Sequence, residues 1–175
     1  MDEEEKLRFL KMALSCLRQE GEERPIFSVN VPTKEELALI RRFLETGNVE
    51  ETLLKKFFPM AYDGVTKNGF FKYFFLVHNK LIKNLERYKE NKLVDWCTAY
   101  PAKIIGKKDS KWVVETVDNR ISITDSMIYP GITIENKLKI GDLVVLHRGK
   151  IHMILNKTEF ETASKFYKKF QKESR

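Results

Sequence analysis

Apolar residues in the first half of the chain recur every three or four positions, which is the spacing of one helix face. The first such stretch follows an acidic turn, which suits the positive end of a helix dipole, and it stops at Gly21. It predicts a helix over residues 3–20. Thr33 and Glu36 match a capping box and predict a second helix that ends at Gly47.

Two further helices are predicted before residue 92. The third covers residues 49–58 and ends before Pro59, because proline cannot continue a helix without losing a hydrogen bond. The fourth covers residues 69–89, and its apolar seam is formed by Phe70, Phe74, Val77, Leu81 and Leu85. We expect the four helices to form a compact bundle.

The hydrophobic period changes after residue 92. Five short runs rich in β-branched residues predict strands at 103–105, 111–117, 120–124, 143–147 and 151–155. So short a sheet would leave exposed edges unless it closed, which favours a small barrel of the OB type. Thr158 with Glu161 matches a capping box and begins a last helix. The predicted fold class is α+β: an N-terminal all-helical bundle (1–92), then an OB-like β-barrel with a C-terminal helix (93–175).

Composition is consistent with a globular chain. The 175 residues are 42% hydrophobic, enough to bury a core. The acidic N-terminus has the wrong charge for a secretory signal, and no apolar stretch is long enough to span a bilayer. We therefore expect a cytoplasmic protein without membrane contact, in which Cys16 and Cys97 are free thiols. The net charge of +7 is scattered among acidic residues rather than gathered in a stripe.

Cys97 and His147 are the residues from which function can be argued. Both lie at predicted strand ends, and a thiolate and an imidazole on a rigid scaffold bind a soft or borderline metal or activate one another as a nucleophile. His152 follows the next turn and is a candidate third metal ligand. No third group that would orient a catalytic pair is evident in the sequence, which favours a non-enzymatic role.

Tyr62, Asp63 and His78 form a second candidate site in the helical half. Aspartate before glycine between helices is typical of a turn, and the surrounding phenylalanines are typical of a core. The functional alternative is that these three residues line a groove between the bundle and the barrel.

The C-terminal part of the chain resembles a known family. Cys97 is followed by Pro101-Ala102-Lys103-Ile104-Ile105, then a hairpin, then Gly141-Asp142 and His147, and finally a helix with spaced alanine and aromatic residues. In this order, over residues 95–172, these motifs resemble the HypC/HupF family of hydrogenase assembly chaperones.

The resemblance implies an OB-like barrel with a tail helix. It also implies that Cys97 takes part in carrying an iron-cyanide-carbonyl group and in docking to a HypD-like protein and the hydrogenase large-subunit precursor. His147 matches the family's histidine, and Tyr100 and Pro101 belong to the same partner-binding segment. The family's cysteine follows the initiator methionine, whereas Cys97 follows the whole helical half.

The sequence therefore predicts a non-enzymatic accessory or maturation factor. It would present Cys97 and His147 to a client protein or to a metal group, with iron or another transition metal carried transiently. One alternative is a nucleic-acid-binding barrel that stacks bases on Trp112 or Tyr100. Its phosphate contacts would come from Lys103, Lys107, Lys108, Lys111, Arg120, Arg148 and Lys150. A metal-free protein-interaction domain is the third alternative.

Overall fold

The computed structural model describes residues 1–16, 34–46, 48–90, 94–126, 128–129, 132–133 and 137–174. Its helices are α1 Glu3–Cys16, α2 Lys34–Thr46, α3 Glu51–Phe57, α4 Pro59–Asn68, α5 Phe70–Lys72, a π-helical segment Tyr73–His78, α6 Asn79–Asn84, α7 Glu86–Glu90, α8 Val94–Cys97 and α9 Lys157–Glu173. Its strands are β1 Tyr100–Lys108, β2 Lys111–Thr116, β3 Ile121–Ser126, β4 Ile128–Tyr129, β5 Ile132–Thr133, β6 Leu143–His147 and β7 Lys150–Leu155. The fold is thus mixed helix and sheet.

The first two helices agree with the prediction where they are described. α1 begins at Glu3, and the remainder of the predicted 3–20 helix lies outside the described residues, as does the side chain of Cys16. α2 ends at Thr46, and the predicted stop at Gly47 and the predicted cap at Thr33 also lie outside them. The compact four-helix bundle and the boundary at residue 92 stay predictions.

Pro59 ends one helix and begins the next. α3 ends at Phe57, and Phe58 has non-helical angles (φ −134°, ψ 53°). Pro59 is then the first residue of α4, where its fixed φ suits a helix and its missing N–H costs nothing. The prediction placed only a helix end here and missed α4.

The predicted single helix over residues 69–89 is wrong. α5, the π-helical segment and α6 run on without a break, but Leu85 is extended (φ −77°, ψ 118°) and separates α6 from α7. A π-helical turn is wider than an α-helical turn and contains an extra residue. The buried face of α6 is therefore rotated relative to the seam that α-helical spacing predicts. Beyond the π-helical segment Ile82 is 6% exposed, whereas Leu81 and Leu85 of the predicted seam are 44% and 39% exposed.

The predicted five-stranded barrel and C-terminal helix are confirmed. The barrel closes in the order β1-β2-β3-β7-β6 and back to β1. β3 and β7 pair in parallel, and the other neighbours pair antiparallel. The side chains that fill it alternate along the strands and include Ala102, Ile104, Val114, Val144 and Ile151, all fully buried. β4 and β5, which pair only with each other, were not predicted.

The helices close over the barrel through one continuous core. This core joins Phe9 of α1, Phe74 of the π-helical segment, Val144 of β6 and Tyr167 of α9. No helix in the described part of the chain is long and apolar enough to cross a membrane.

The capping box of α9 differs from the predicted one. Asn156 is the N-cap: its side-chain oxygen accepts from the amide of Glu159 at 3.0 Å, and its own amide donates to the Glu159 carboxylate at 2.8 Å. The predicted pair, Thr158 with Glu161, has the same spacing but already lies inside the helix. Asparagine caps as well as threonine does, so spacing alone did not decide between them.

Candidate functional site

All three histidines of the chain lie together in the interior. His78 comes from the π-helical segment, His147 from the end of β6 and His152 from β7. The ring centroids of His78 and His147 are 5.6 Å apart, and those of His147 and His152 are 5.5 Å apart. The three residues are 8%, 0% and 1% exposed. We call this group the histidine cluster.

His78 is positioned by the residue that follows it. Asn79 is fully buried, and its amide group forms two hydrogen bonds with the backbone of Ala99 just before β1. The Asn79 Oδ1 accepts from the Ala99 amide at 2.8 Å, and its Nδ2 donates to the Ala99 carbonyl at 3.0 Å. This pair fixes α6 to the start of the barrel and so holds His78 against His147.

His152 enters the interior through a β-bulge. In the β6–β7 ladder Leu146 pairs with Ile151 and Val145 pairs with Met153, so His152 is the extra residue. A bulge re-aims a side chain, and here three consecutive residues of β7 are all buried. The Nε2 of His152 donates to the carbonyl of His147 at 2.9 Å.

The histidines are neutral at physiological pH. Burial lowers the pKa of His78 to about 4 against the opposing effect of Asn79, and it lowers the pKa of His152 to about 4 against backbone hydrogen bonds with His147 and Lys11. Burial, the neighbouring histidines and the charge of Arg148 place the pKa of His147 well below its usual value. Neutral imidazoles are the form that binds metal ions.

Cys97 adjoins the cluster through its backbone. The ring of His147 forms a hydrogen bond with the Cys97 backbone. Cys97 itself is 2% exposed and packs with Ile82 and Val94. The structure therefore brings the two residues of the predicted pair together, and both of them are buried.

Trp96 and Arg148 lie beside the cluster. The Arg148 guanidinium lies 4.9 Å from the Trp96 ring centroid. The backbone amide of Arg148 donates to the Trp96 carbonyl at 2.8 Å. Trp96 is 40% exposed while Arg148 is 9% exposed, so the indole forms the solvent side of this pair. The two residues join α8 to the β6–β7 turn.

Tyr100 and Pro101 are also buried. Tyr100 belongs to a second polar group, the charged cluster, which contains Asp95, Tyr100, Asp118, Arg120 and Tyr167. The Tyr100 hydroxyl donates to the Asp95 carbonyl at 2.9 Å, and the Arg120 guanidinium lies 4.4 Å from its ring centroid. Burial raises the pKa of Tyr100 to about 12. Pro101 pairs with Val145 in the barrel.

The charged cluster fastens α9 to the β2–β3 turn. Arg120 forms an ion pair with Asp118 at 2.8 Å, and Tyr167 donates to the same carboxylate at 3.0 Å. Burial raises the pKa of Asp118, but hydrogen bonds from Thr116 and Arg120 outweigh it and lower the pKa overall. This cluster was not predicted from the sequence, in which Tyr100 and Arg120 were candidates for other roles.

Tyr62 and Asp63 are separate from the cluster in the contacts of the described residues. The Tyr62 hydroxyl donates to Glu51 at 2.7 Å, which joins α4 to α3, and Asp63 is exposed. Of the three residues of the predicted groove, His78 alone meets the barrel histidines.

The histidine cluster has ligand chemistry without a preformed metal cage. Over the ranges that the structure describes, no three His, Cys, Asp or Glu side chains are arranged to hold a metal ion. Imidazole and thiolate remain the donor types that borderline metals prefer. Comparison with known proteins adds no assignment: no protein-family model, curated protein or solved structure matches the chain.

Proposed function

We propose that this protein is a non-enzymatic accessory or maturation factor that holds a transition-metal group at the histidine cluster on behalf of a client protein. In this proposal His147 and Cys97 are the central ligands, His78 and His152 are the neighbouring donors, and the helical half contributes one side of the site.

The observation that carries the proposal is the convergence of the histidines. Three separate elements each contribute one imidazole to the same interior point, using a π-helical segment at His78 and a bulge at His152. Both irregularities are frequent at functional sites. Burying three polar rings costs free energy that an apolar core would not, and a ligand site is a reason for that cost.

The barrel supports the proposed relationship to hydrogenase assembly chaperones. Its strand order, with β3 and β7 parallel and β6 returning to β1, is consistent with a Greek-key barrel of the OB type. Together with the tail helix α9, it is the architecture that the resemblance implies. Iron is the metal that the resemblance favours, and a HypD-like protein or a hydrogenase large-subunit precursor is the favoured partner.

Metal transfer requires α8 to move. Cys97 lies at the end of this four-residue helix, and α8 is held by the contact of Trp96 with Arg148 and by the bond from Tyr100 to Asp95. A client that displaces α8 would expose Cys97 and His147 together. We therefore place the client contact at Trp96, which lies beside the cluster and is 40% exposed.

The test is metal binding by the full chain purified without oxygen. We expect about one equivalent of Fe²⁺, Ni²⁺ or Zn²⁺ in titrations followed by elemental analysis, and loss of that equivalent in both His147→Gln and Cys97→Ser. Glu86→Gln is a matched control, because it changes an exposed carboxylate on α7.

Folding must be checked beside binding, because His147 is fully buried. Circular dichroism and a thermal melt on each variant separate a lost ligand from a lost fold, and His78→Gln, which changes the least buried of the three histidines, is a second variant to test in the same way. A folded wild-type protein that binds none of the three ions would overturn the proposal and leave the histidines with a structural role.

A metal-free protein-interaction domain is the second candidate. Ile105, Ile121 and Ile123 are 40%, 57% and 52% exposed on the outer face of β1 and β3. Exposed apolar side chains grouped on one face favour contact with another protein.

The nucleic-acid alternative has less support. Trp112 and Tyr100, the proposed stacking residues, are 7% and 6% exposed, and the Lys107 ammonium lies 4.8 Å from the Trp112 ring centroid. Base stacking needs an exposed aromatic face.

A further inference from the structure

Four lysines of α9 share one groove. Lys165, Lys168, Lys169 and Lys172 recur three and four residues apart, which places them along the same face of the helix. All four are exposed, and the groove that they line has a volume of about 740 Å³. Sites for small molecules usually enclose roughly 300–1,000 Å³, so this groove has the size of a ligand site.

The lysine groove carries an unbalanced charge. Among the described residues that line the groove, Glu161 is the one acidic residue, so four positive charges against one negative give a formal charge of +3. Lys169 also lies 3.7 Å from Glu173, which is shared with Lys80. Like charges three and four residues apart destabilise a helix, and a multiply charged anion would remove that repulsion.

The floor of the groove contains an unsatisfied hydroxyl. Ser164 is 8% exposed, lines the groove, and its Oγ has no hydrogen-bond partner within the described structure. Buried hydroxyls are normally paired, because an unpaired one costs free energy. The Oγ exposes less than 1 Å² to solvent, so a ligand oxygen in the groove would supply the missing partner once the flexible lysine side chains beside it move aside.

The rest of the lining is apolar. Val117 from the end of β2 and the half-buried ring of Phe160 complete the groove beside the lysines. A ligand that fills the groove therefore needs a flat or apolar part as well as an anionic part. A planar base on the Phe160 ring, with phosphates among the ammonium groups, satisfies both requirements.

We propose that the lysine groove of α9 is a binding site for a nucleotide with two or three phosphates. The ammonium groups of Lys165, Lys168 and Lys172 would bind the phosphates, Ser164 would donate to a phosphate oxygen, and Phe160 would stack on the base. The groove shares no residue with the histidine cluster, so this inference stands whether or not the protein binds metal.

The concave shape favours a small ligand over a nucleic-acid strand. A strand is bound along an extended track of charge with several stacking aromatics. Here one half-buried aromatic ring, Val117 and the turns of α9 from Phe160 to Lys172 provide the described contacts, which is enough for one base and its phosphates.

The experiment is calorimetric titration of the full chain at low salt with ATP, tripolyphosphate, inorganic phosphate and an oligothymidine strand. We expect ATP to bind more tightly than tripolyphosphate, and inorganic phosphate to bind least. The double variant Lys168→Glu/Lys172→Glu should weaken ATP at least tenfold, because two charge-assisted contacts become repulsive. Lys67→Glu/Lys72→Glu makes the same change of net charge on exposed residues of the helical half and should leave ATP binding unchanged.

Two further variants separate binding from folding. Ser164→Ala should weaken ATP severalfold while leaving the melting temperature equal or higher, because it removes an unpaired buried hydroxyl. Phe160→Leu should reduce ATP binding to the level of tripolyphosphate. His147→Gln, which tests the metal proposal, should leave ATP binding unchanged in any preparation that stays folded.

Three results would overturn the inference. The first is no ATP binding by the wild-type chain at low salt. The second is an equal loss in the Lys168/Lys172 variant and in the control. The third is tight oligothymidine binding through the same lysines that ATP does not displace, which would make the groove a strand-binding surface.

Discussion

The histidine cluster and the charged cluster both join helices to the barrel, but they do so with opposite chemistry. In the histidine cluster three neutral rings are sealed from solvent, and His147 and His152 form hydrogen bonds with backbone groups. In the charged cluster the Arg120 guanidinium and the Asp118 carboxylate are ionised, paired and partly exposed.

This difference makes the two clusters respond to different conditions. Burial disfavours the protonated form of a histidine, so acid should act on the histidine cluster first. The ion pair of the charged cluster holds the pKa of Asp118 below its usual value and that of Arg120 above it, so both charges persist over the same pH range. Each junction between helices and barrel therefore loses stability in a pH range of its own.

The largest expected effect is acid destabilisation of the histidine junction. His78 and His152 have a pKa of about 4 in the folded protein, whereas an unfolded histidine titrates near 6.5. Their contribution to stability is complete above about pH 6.5 and is lost as the pH falls toward 4, because the unfolded chain then binds more protons. We expect a loss on the order of 3 kcal/mol or more in urea unfolding between about pH 7 and pH 4.

The histidine cluster and the charged cluster lose stability over different pH ranges. Arg148 acts on both barrel histidines and Lys11 on His152, so neighbouring positive charge adds to the effect. Asp118, with a lowered pKa, loses its contribution to stability only below about pH 3.8.

His78→Gln should reduce the slope of unfolding free energy against pH by about one third, since one of three similar groups is removed. An unchanged slope in that variant would show that the histidines do not account for the acid response.

A change in packing should destabilise the junction at the histidine cluster without altering a titratable group. At Gly64 of α4 an added Cβ would lie 2.1 Å from Cε2 of Tyr73, whose ring centroid is 6.3 Å from that of His78. Tyr73 is 4% exposed and has little room to yield. Gly64→Ala should therefore cost about 1–3 kcal/mol in urea unfolding, although alanine is otherwise the better helix former.

Gly106→Ala is the matched control for this change. Its added Cβ would meet the Cβ of Val113 at 3.9 Å, which is an ordinary contact. We expect its stability to stay within about 0.5 kcal/mol of wild type. Equal melting curves for Gly64→Ala and wild type would mean that the α4 contact does not hold the π-helical segment in place.

The barrel could be predicted from the sequence because its signal is local. Short runs rich in β-branched residues and the turn residues between them identified all five barrel strands, although β1 runs from Tyr100 to Lys108 rather than over 103–105. The irregular elements could not be predicted in this way. A π-helical turn and a bulge each add one residue to a regular repeat, and whether a chain accepts that addition depends on its tertiary neighbours.

The histidine cluster shows the same limit. The sequence predicts a pair of His147 and Cys97 with His152 as a third ligand. It predicts His78 in a different groove, with Tyr62 and Asp63. His78 reaches His147 because Asn79 binds the backbone of Ala99, twenty residues away. All three histidines of the chain are buried, which is unusual for so polar a residue, but their number in the sequence does not indicate burial.

The smallest effect concerns the cap of α9, which carries Tyr167 to the charged cluster. Asn156→Ala removes the acceptor for the Glu159 amide and should cost about 1 kcal/mol in urea unfolding. Thr158→Ala is the control that separates the observed cap from the predicted one, because the described bond at Thr158 uses its carbonyl and the side chain is exposed. If Thr158→Ala cost more than Asn156→Ala, the helix would begin two residues later and the predicted box would be correct. Both substitutions act on the helix that anchors Tyr167 and not on a histidine. The loss of unfolding free energy in each variant should therefore be the same at pH 7 and pH 5.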